Sequence, residues 1–432
     1  MARRRREMGH GGAVACLVAA LGCGDAGDGA GAEVSVGTGA STMAVTATAT
    51  EDPSTASGSG GPTPMSASDS ADGSSGDPSS ESDTGPGGGC EGVSLRDIPA
   101  DTAMRGPWTV GARTVDVAGL DVEVWYPAAP GAEDGAEQVV YDIREAIPAS
   151  ERRKISDEDN PWQPCDCFRD LEVDADHGPY PVIVFVHGTA SFRSQSLPQM
   201  VHWASRGFIV VAADHPGLWL ADLLGSVCGA GTVAQDLEGN VQSILEAVRG
   251  ETDELAFLGD RIDTGRIGMS GHSAGGGAIE GFGDDAQVLV PLAAGGTQAG
   301  AALVSTLVLG GTADTIVAYS QTQGGFTASP SPKRLVGIEN AGHLTFSQIC
   351  SMTNAAGANL LEIATDAGVC GAQFAGFLFQ CSDELIADTR GWEIIDDVTA
   401  AAFEETLHCS AAGERFDGLQ ARYPEVSELL QR

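Results

Sequence analysis

The stretch Arg266-Ile267-Gly268-Met269-Ser270-Gly271-His272-Ser273-Ala274-Gly275-Gly276-Gly277 decides how the chain is read. A short apolar run ends at Ser270. Gly271-His272-Ser273-Ala274-Gly275 then fits the pattern G-x-S-x-G, and small residues open a helix. Strand, sharp turn and helix in this order form a nucleophile elbow, with the serine on the turn. Gly271 and Gly275 are expected where a Cβ would collide with a neighbouring strand or helix. The turn should lift the Ser273 hydroxyl clear of the sheet, with the helix amides aimed at developing negative charge. A chain with 59 glycines among 432 residues can meet a five-residue pattern by chance, so its surroundings must decide.

Those surroundings read as strands alternating with helices. Residues 113–118 and 120–126 alternate about Gly119 and predict a hairpin. Pro181-Val-Ile-Val-Phe-Val186 and Phe208-Ile-Val-Val-Ala-Ala213 are apolar throughout, as buried parallel strands are. Residues 195–206 and 232–249 carry helical spacing. Further strands are predicted at 288–290 and 307–309, with 335–338 as the last, and an amphipathic helix at 395–408 closes the body. Residues 128–180 read as a long irregular excursion. The cysteine-rich residues 347–390 read as a lid or disulfide-pinned insertion, being longer than an ordinary connection. The alternation predicts an α/β body with a mostly parallel sheet.

Acyl transfer by a serine needs a base, an acid residue that orients the base, and amides that bind an oxyanion. Asp314 follows the strand Leu307-Val-Leu309, and His343 follows the strand at 335–338. The order Ser273, Asp314, His343, each just beyond a strand, is the order of the α/β-hydrolase triad. Asp260 and Asp263 precede the elbow strand, Asp284 and Asp285 follow it too soon, and Glu339 sits at the end of its own strand. Asp214 suits a supporting role. His272 should point into the fold, and His187 should brace the loop after its strand. His202, His215 and His408 read as structural or surface residues. The oxyanion hole is expected from the backbone N–H groups of Ala274 and Thr189, each such donor being worth about 3 kcal/mol in the transition state.

The run Tyr180-Pro-Val-Ile-Val-Phe-Val-His-Gly-Thr-Ala-Ser-Phe-Arg193, with Trp203-Ala-Ser-Arg-Gly-Phe-Ile-Val-Val-Ala-Ala-Asp-His215, resembles plasma-type platelet-activating factor acetylhydrolases and bacterial dienelactone-hydrolase-like proteins. Residues 106–114 and 122–127 resemble the opening strands of the latter. The Ser273 elbow and Asp314 loop are also similar to polyester-cleaving cutinases. The resemblance spans about residues 105–346 plus the final helix. It implies an α/β-hydrolase fold and a calcium-independent serine esterase, with Ser273 as nucleophile, Asp314 as orienter, His343 as base, and no metal or organic cofactor. Dienelactone hydrolases proper use a cysteine nucleophile, and Ser273 departs from that. Residues 347–390 match nothing in these families.

The two ends of the sequence speak of address. Arg3 to Arg6 and the apolar run Ala13 to Leu21 form a secretory signal too short to span a bilayer. It ends in Ala20-Leu21-Gly22-Cys23, which resembles a bacterial lipobox. Residues 1–22 are therefore expected to be removed and Cys23 to be lipidated. Residues 23–104 are expected to be a disordered tether: residues 24–89 hold no aromatic residue, Lys or Arg. Residues 105–432 would be the catalytic domain. The net charge of −37 would repel phosphate backbones, which argues against nucleic acid as a partner. Cys90, Cys165, Cys167, Cys228, Cys350, Cys370, Cys381 and Cys409 form an even set in an exported body, which suggests disulfides. Cys165-Asp166-Cys167 has no metal-ligand partners nearby, and each of its cysteines is expected to reach a distant one.

The reading at this level is an exported esterase anchored to the cell envelope through Cys23, or else secreted. Its partners would be the membrane and a small-molecule, lipid or polymer ester. An inert binding module on the same fold and an amidase or peptidase are the alternatives.

Overall fold

The computed structural model describes Cys90 and residues 93–250, 253–376, 378 and 380–432. The signal, Cys23 and the tether as far as residue 89 lie outside the described residues. Among the described residues no helix is long and apolar enough to cross a membrane.

One eleven-stranded sheet runs through the body. In chain order its strands are β1 (Val110–Val117), β2 (Leu120–Pro127), β3 (Gln138–Tyr141), β4 (Gln163–Arg169), β5 (Tyr180–Val186), β6 (Ile209–Ala213), β7 (Ile262–His272), β8 (Val288–Leu292), β9 (Ser305–Gly311), β10 (Lys333–Ile338) and β11 (Val426–Gln431). The spatial order is β11-β10-β9-β8-β7-β5-β6-β2-β1-β4-β3. From β6 through β5 and β7 to β10 every pairing is parallel. The β1–β2 hairpin is antiparallel, as is its joint to β6. It turns at Ala118 and Gly119, both at positive φ, the two-residue geometry that matches strand twist.

The helices are α1 (Leu197–Ser205), α2 (Leu220–Val227), α3 (Leu237–Gly250), α4 (Ala274–Ala278), α5 (Tyr319–Ala328), α6 (Leu360–Asp366), α7 (Ala372–Ala375), α8 (Asp388–Leu407) and α9 (Leu419–Arg422). They cover both faces of the sheet, which is why β6 and residues 181–186 of β5 are apolar at every position. Val182, Val184 and Val186 share one core with Val241, Ile244 and Val248 of α3. Ile183 and Phe185, one residue out of phase, share the other with Trp203 of α1 and Val398 and Phe403 of α8. This is the α/β-hydrolase architecture.

Four expectations change. The strand at 335–338 is not the last: β11 pairs antiparallel with β10 and forms the edge. The excursion at 128–180 contains two paired strands, β3 and β4, that extend the sheet at its other edge. Residues 93–104, expected in the tether, pack on the body: buried Arg206 donates to the carbonyls of Pro99, Asp101 and Met104, and Thr102 donates to buried Asp397. Cys165 and Cys167 pair with each other rather than with distant partners. They stand two apart on β4, so both face the same buried side, with Cα atoms 5.0 Å apart. The other disulfides are Cys90–Cys409, Cys228–Cys370 and Cys350–Cys381.

Candidate active site

Ser273 leaves the end of β7 at φ 54° and ψ −119°, a conformation that side-chain-bearing residues rarely adopt. Such strain costs about 1–3 kcal/mol and persists only where the surroundings impose it. The surroundings here are tight. The Ser273 N–H donates to the Leu292 carbonyl at 2.9 Å, and its carbonyl accepts from Gly277 at 3.1 Å. A Cβ on Gly271 would lie 2.3 Å from the Gly275 oxygen, and one on Gly275 would lie 2.1 Å from the Val186 oxygen. Both neighbours are backbone and cannot swing aside. Gly275→Ala should therefore lose about 3 kcal/mol or more of stability. Gly277→Ala, with open space around its Cβ, should be neutral or slightly stabilising. Thermal melts of the two variants side by side check this.

Asp314 and His343 occupy the loops after β9 and β10, at the same end of the sheet as the elbow. Both are buried. His343 Nδ1–H donates to Asp314 Oδ2 at 2.8 Å. Asp314 Oδ1 accepts the N–H groups of Ile316 and Val317 at 2.8 and 2.9 Å, which fixes the carboxylate plane. That assignment puts the imidazole proton on Nδ1 and leaves the Nε2 lone pair available.

No hydrogen bond joins the Ser273 hydroxyl to His343 in this structure. The serine's neighbour makes the connection instead. The His272 ring lies 4.7 Å from the His343 ring, and its Nε2–H donates to the His343 carbonyl at 3.0 Å. Its Nδ1 accepts from Gln195 Nε2 at 3.1 Å, and Gln195 Oε1 accepts the Gly188 N–H at 2.9 Å. Gln195 and His272 thus tie together the loop after β5, the elbow and the His343 loop. Burial and the adjoining His343 push the His272 pKa well below the usual value, so it stays neutral. Gln195 has no motif in the sequence to mark it; only the fold brings it to His272, 77 residues further on.

The loop after β5 shows which amides are free. A Cβ on Gly188 would stand 3.4 Å from Ser273 Cβ, so this loop abuts the serine. The Gly188 N–H is taken by Gln195, and the Ala190 N–H by the Leu218 carbonyl at 3.0 Å. Between them the Thr189 N–H has no protein partner among the described residues, and neither does the Ala274 N–H. His187 braces the loop: its Nδ1–H donates to the Gly188 carbonyl at 2.8 Å and its Nε2 accepts the His215 N–H at 3.0 Å. Burial lowers His187 to about 4, leaving it neutral.

The competing residues are engaged elsewhere. Asp214 accepts the Arg193 N–H at 2.7 Å and pairs with that guanidinium. Asp263 pairs with Arg266 and Asp285 with Arg249. Asp260 pairs with Arg261, and Asp284 accepts the Ala301 N–H. Glu339 is exposed. His202 donates to the Thr102 carbonyl, and His408 stacks on Phe208 at 4.2 Å.

Residues 168–280 match the sequence profile of the chlorophyllase family, a family of α/β-hydrolase esterases. The matched stretch runs from the end of β4 through the loop after β5 to the Ser273 elbow, and stops short of Asp314 and His343. A comparison with curated proteins finds no match. Elbow, sheet order and matched stretch agree: the chain has the α/β-hydrolase fold and is similar, over residues 168–280, to a carboxylic ester hydrolase family of that fold.

Proposed function

We propose that the protein is a serine hydrolase of carboxylic esters, with Ser273 as nucleophile, His343 as base and Asp314 as its orienting carboxylate. The observation that carries this reading is the buried Asp314–His343 pair at 2.8 Å, at the same sheet end as the strained Ser273. His343 Nε2 removes the hydroxyl proton as Ser273 Oγ bonds to the ester carbonyl carbon. The N–H groups of Thr189 and Ala274 hold the resulting oxyanion. The C–O bond to the alcohol breaks, and the proton passes from Nε2 to the departing oxygen. Water then repeats the sequence on the acyl-enzyme and releases the acid.

Asp314→Asn tests the orienter. Its Oδ1 would still accept the Ile316 and Val317 amides, which turns the Asn Nδ2 toward His343 Nδ1. Nδ1 must then act as acceptor, the ring proton moves to Nε2, and the base is lost. Turnover of short p-nitrophenyl esters should fall by about 10⁴-fold with little change in KM. Unchanged turnover would remove Asp314 from the mechanism. Running matched amides beside the esters separates an esterase from an amidase.

Resemblance to platelet-activating factor acetylhydrolases, dienelactone-hydrolase-like proteins and cutinases guides the choice among acetylated phospholipids, short-chain esters and polyesters as substrates. Four disulfides among the described residues support an oxidising compartment, in line with export and a lipid anchor at Cys23. Mass spectrometry of the mature N-terminus reads the anchor directly.

A further inference from the structure

The two excursions, residues 128–180 and 347–390, come together over the loop that carries Thr189. Between them lies a cavity of about 60 Å³. Ile147 and Ile155 of the first excursion form one wall, and Ile363 and Ala372 of the second form another. Leu220 and Leu224 of α2 supply a third. The wall nearest the catalytic loops is Ala190 and Phe192, one and three residues beyond Thr189. Phe192 also packs in one apolar cluster with Leu344, the residue after His343. The cavity therefore adjoins the candidate oxyanion loop and is separated from the loop of the candidate base by the Phe192 side chain.

Its chemistry is nearly uniform. Two polar side chains stand on its wall: Arg144 is paired with Asp142 and Asp157, and Asn160 Nδ2 donates to Asp142 at 2.9 Å while its Oδ1 is buried without a partner among the described residues. Nothing charged is available to greet a phosphate, an ammonium or a carboxylate. An apolar cavity of this kind favours hydrocarbon over water. Water-sized groups need about 10–15 Å³ each on this measure, so the space takes about four to six methylenes. Cys228–Cys370 bonds the end of α2 to the segment just before α7, so two of the walls are covalently joined.

We infer that this cavity receives an unbranched aliphatic chain of the ester substrate, about four to six carbons long. The inference rests on the esterase reading and narrows it to esters of short to medium alkyl chains. The chain is supplied by the acyl side or by the alcohol side, and two substrate series tell these apart: p-nitrophenyl esters from acetate to dodecanoate, and alkyl acetates from methyl to dodecyl. In one of the series kcat/KM should rise about fourfold per methylene and break off beyond about six carbons. Ala364→Phe, which fills the cavity from α6, should lower the ratio of hexanoate to acetate turnover, or of hexyl to methyl acetate turnover, at least tenfold. Leu360→Ala, which enlarges it, should move the break to longer chains. Melting curves establish that each variant is folded. A profile flat in both series, or a break that neither folded variant moves, overturns the inference. If no ester is hydrolysed at all, the esterase reading itself fails. Calorimetric titration with hexan-1-ol then tests the cavity alone: binding lost in Ala364→Phe upholds it, and no binding to the parent protein overturns it.

Discussion

Ser273→Ala is expected to lower turnover of p-nitrophenyl esters by about 10⁶-fold and to abolish labelling by a fluorophosphonate probe, while the protein stays folded. The size of the loss follows from the division of labour. In the proposed mechanism His343 and Asp314 only move and steady a proton; with the hydroxyl gone there is no oxygen to bond to the acyl carbon. What survives is whatever the Thr189 and Ala274 amides do for attack by water. Removing Oγ leaves the backbone at φ 54° untouched, so stability should barely change. Ser273→Gly makes the complementary point. It is equally inactive, but relieving the strain against the added chain entropy of glycine should raise stability by about 1 kcal/mol. A residue whose replacement destroys activity and improves stability is held in place for chemistry. Undiminished turnover in Ser273→Ala would sink the nucleophile assignment, and failure of the parent protein to react with the probe would favour an inert binding module on this fold.

What the sequence made legible was local. β5 and β6 are unbroken apolar runs because helices cover both their faces, and β7, β9 and β10 each carry a shorter one, a composition that can be read without knowing the neighbours. Ser273, Asp314 and His343 could be nominated because each sits just past such a run. The features that escaped are set by distant partners. β11 reads as the tail of the chain until β10 offers it an edge. Residues 93–104 read as the end of the tether until Arg206, wholly buried, takes three of their carbonyls. Cys165 and Cys167 looked too close to pair, a rule that fails on a strand, where residues two apart share a face. Gln195 is a polar residue at the mouth of a helix until the fold lays it between Gly188 and His272. The cavity is the furthest from legible, since its walls come from four separated segments.

Acid should unfold this protein within a narrow range below pH 6.5. Five histidines, four of them buried and His408 half-buried under Phe208, have their pKa values lowered: His187 to about 4, His202, His215 and His408 to about 3, and His272 well below its usual value. Burial is the main cause for each, because an imidazolium would lose its hydration; of the five, His202 alone has a carboxylate paired with its ring among the described residues, Asp396 at 4.0 Å, and burial outweighs that attraction. In the unfolded chain the same groups bind protons near pH 6.5. Between pH 6.5 and about 4 the unfolded state thus holds more protons than the folded one, and stability falls as pH falls. Asp396 works the other way. Burial raises it to about 8, so the folded state keeps a proton that the unfolded state releases above about pH 4. It offsets one of the five histidines in the acid range and, above pH 6.5, makes stability decline slowly with rising pH. The optimum should lie near pH 6.5–7. Taking the histidines together and subtracting Asp396, the loss between pH 6.5 and 5.5 comes to about 4 kcal/mol, against a total of about 5–15 for an ordinary folded protein. Asp214 and Glu404, also raised by burial, soften the fall only further into the acid. Denaturant titrations followed by circular dichroism at pH 7, 6 and 5.5 measure the slope. His408→Phe should keep the stack on Phe208 while removing one of the five protons, and so make the slope shallower by about a quarter of its net value. A stability that stays level from pH 7 to 5.5 would mean that these imidazoles are not held neutral in the fold.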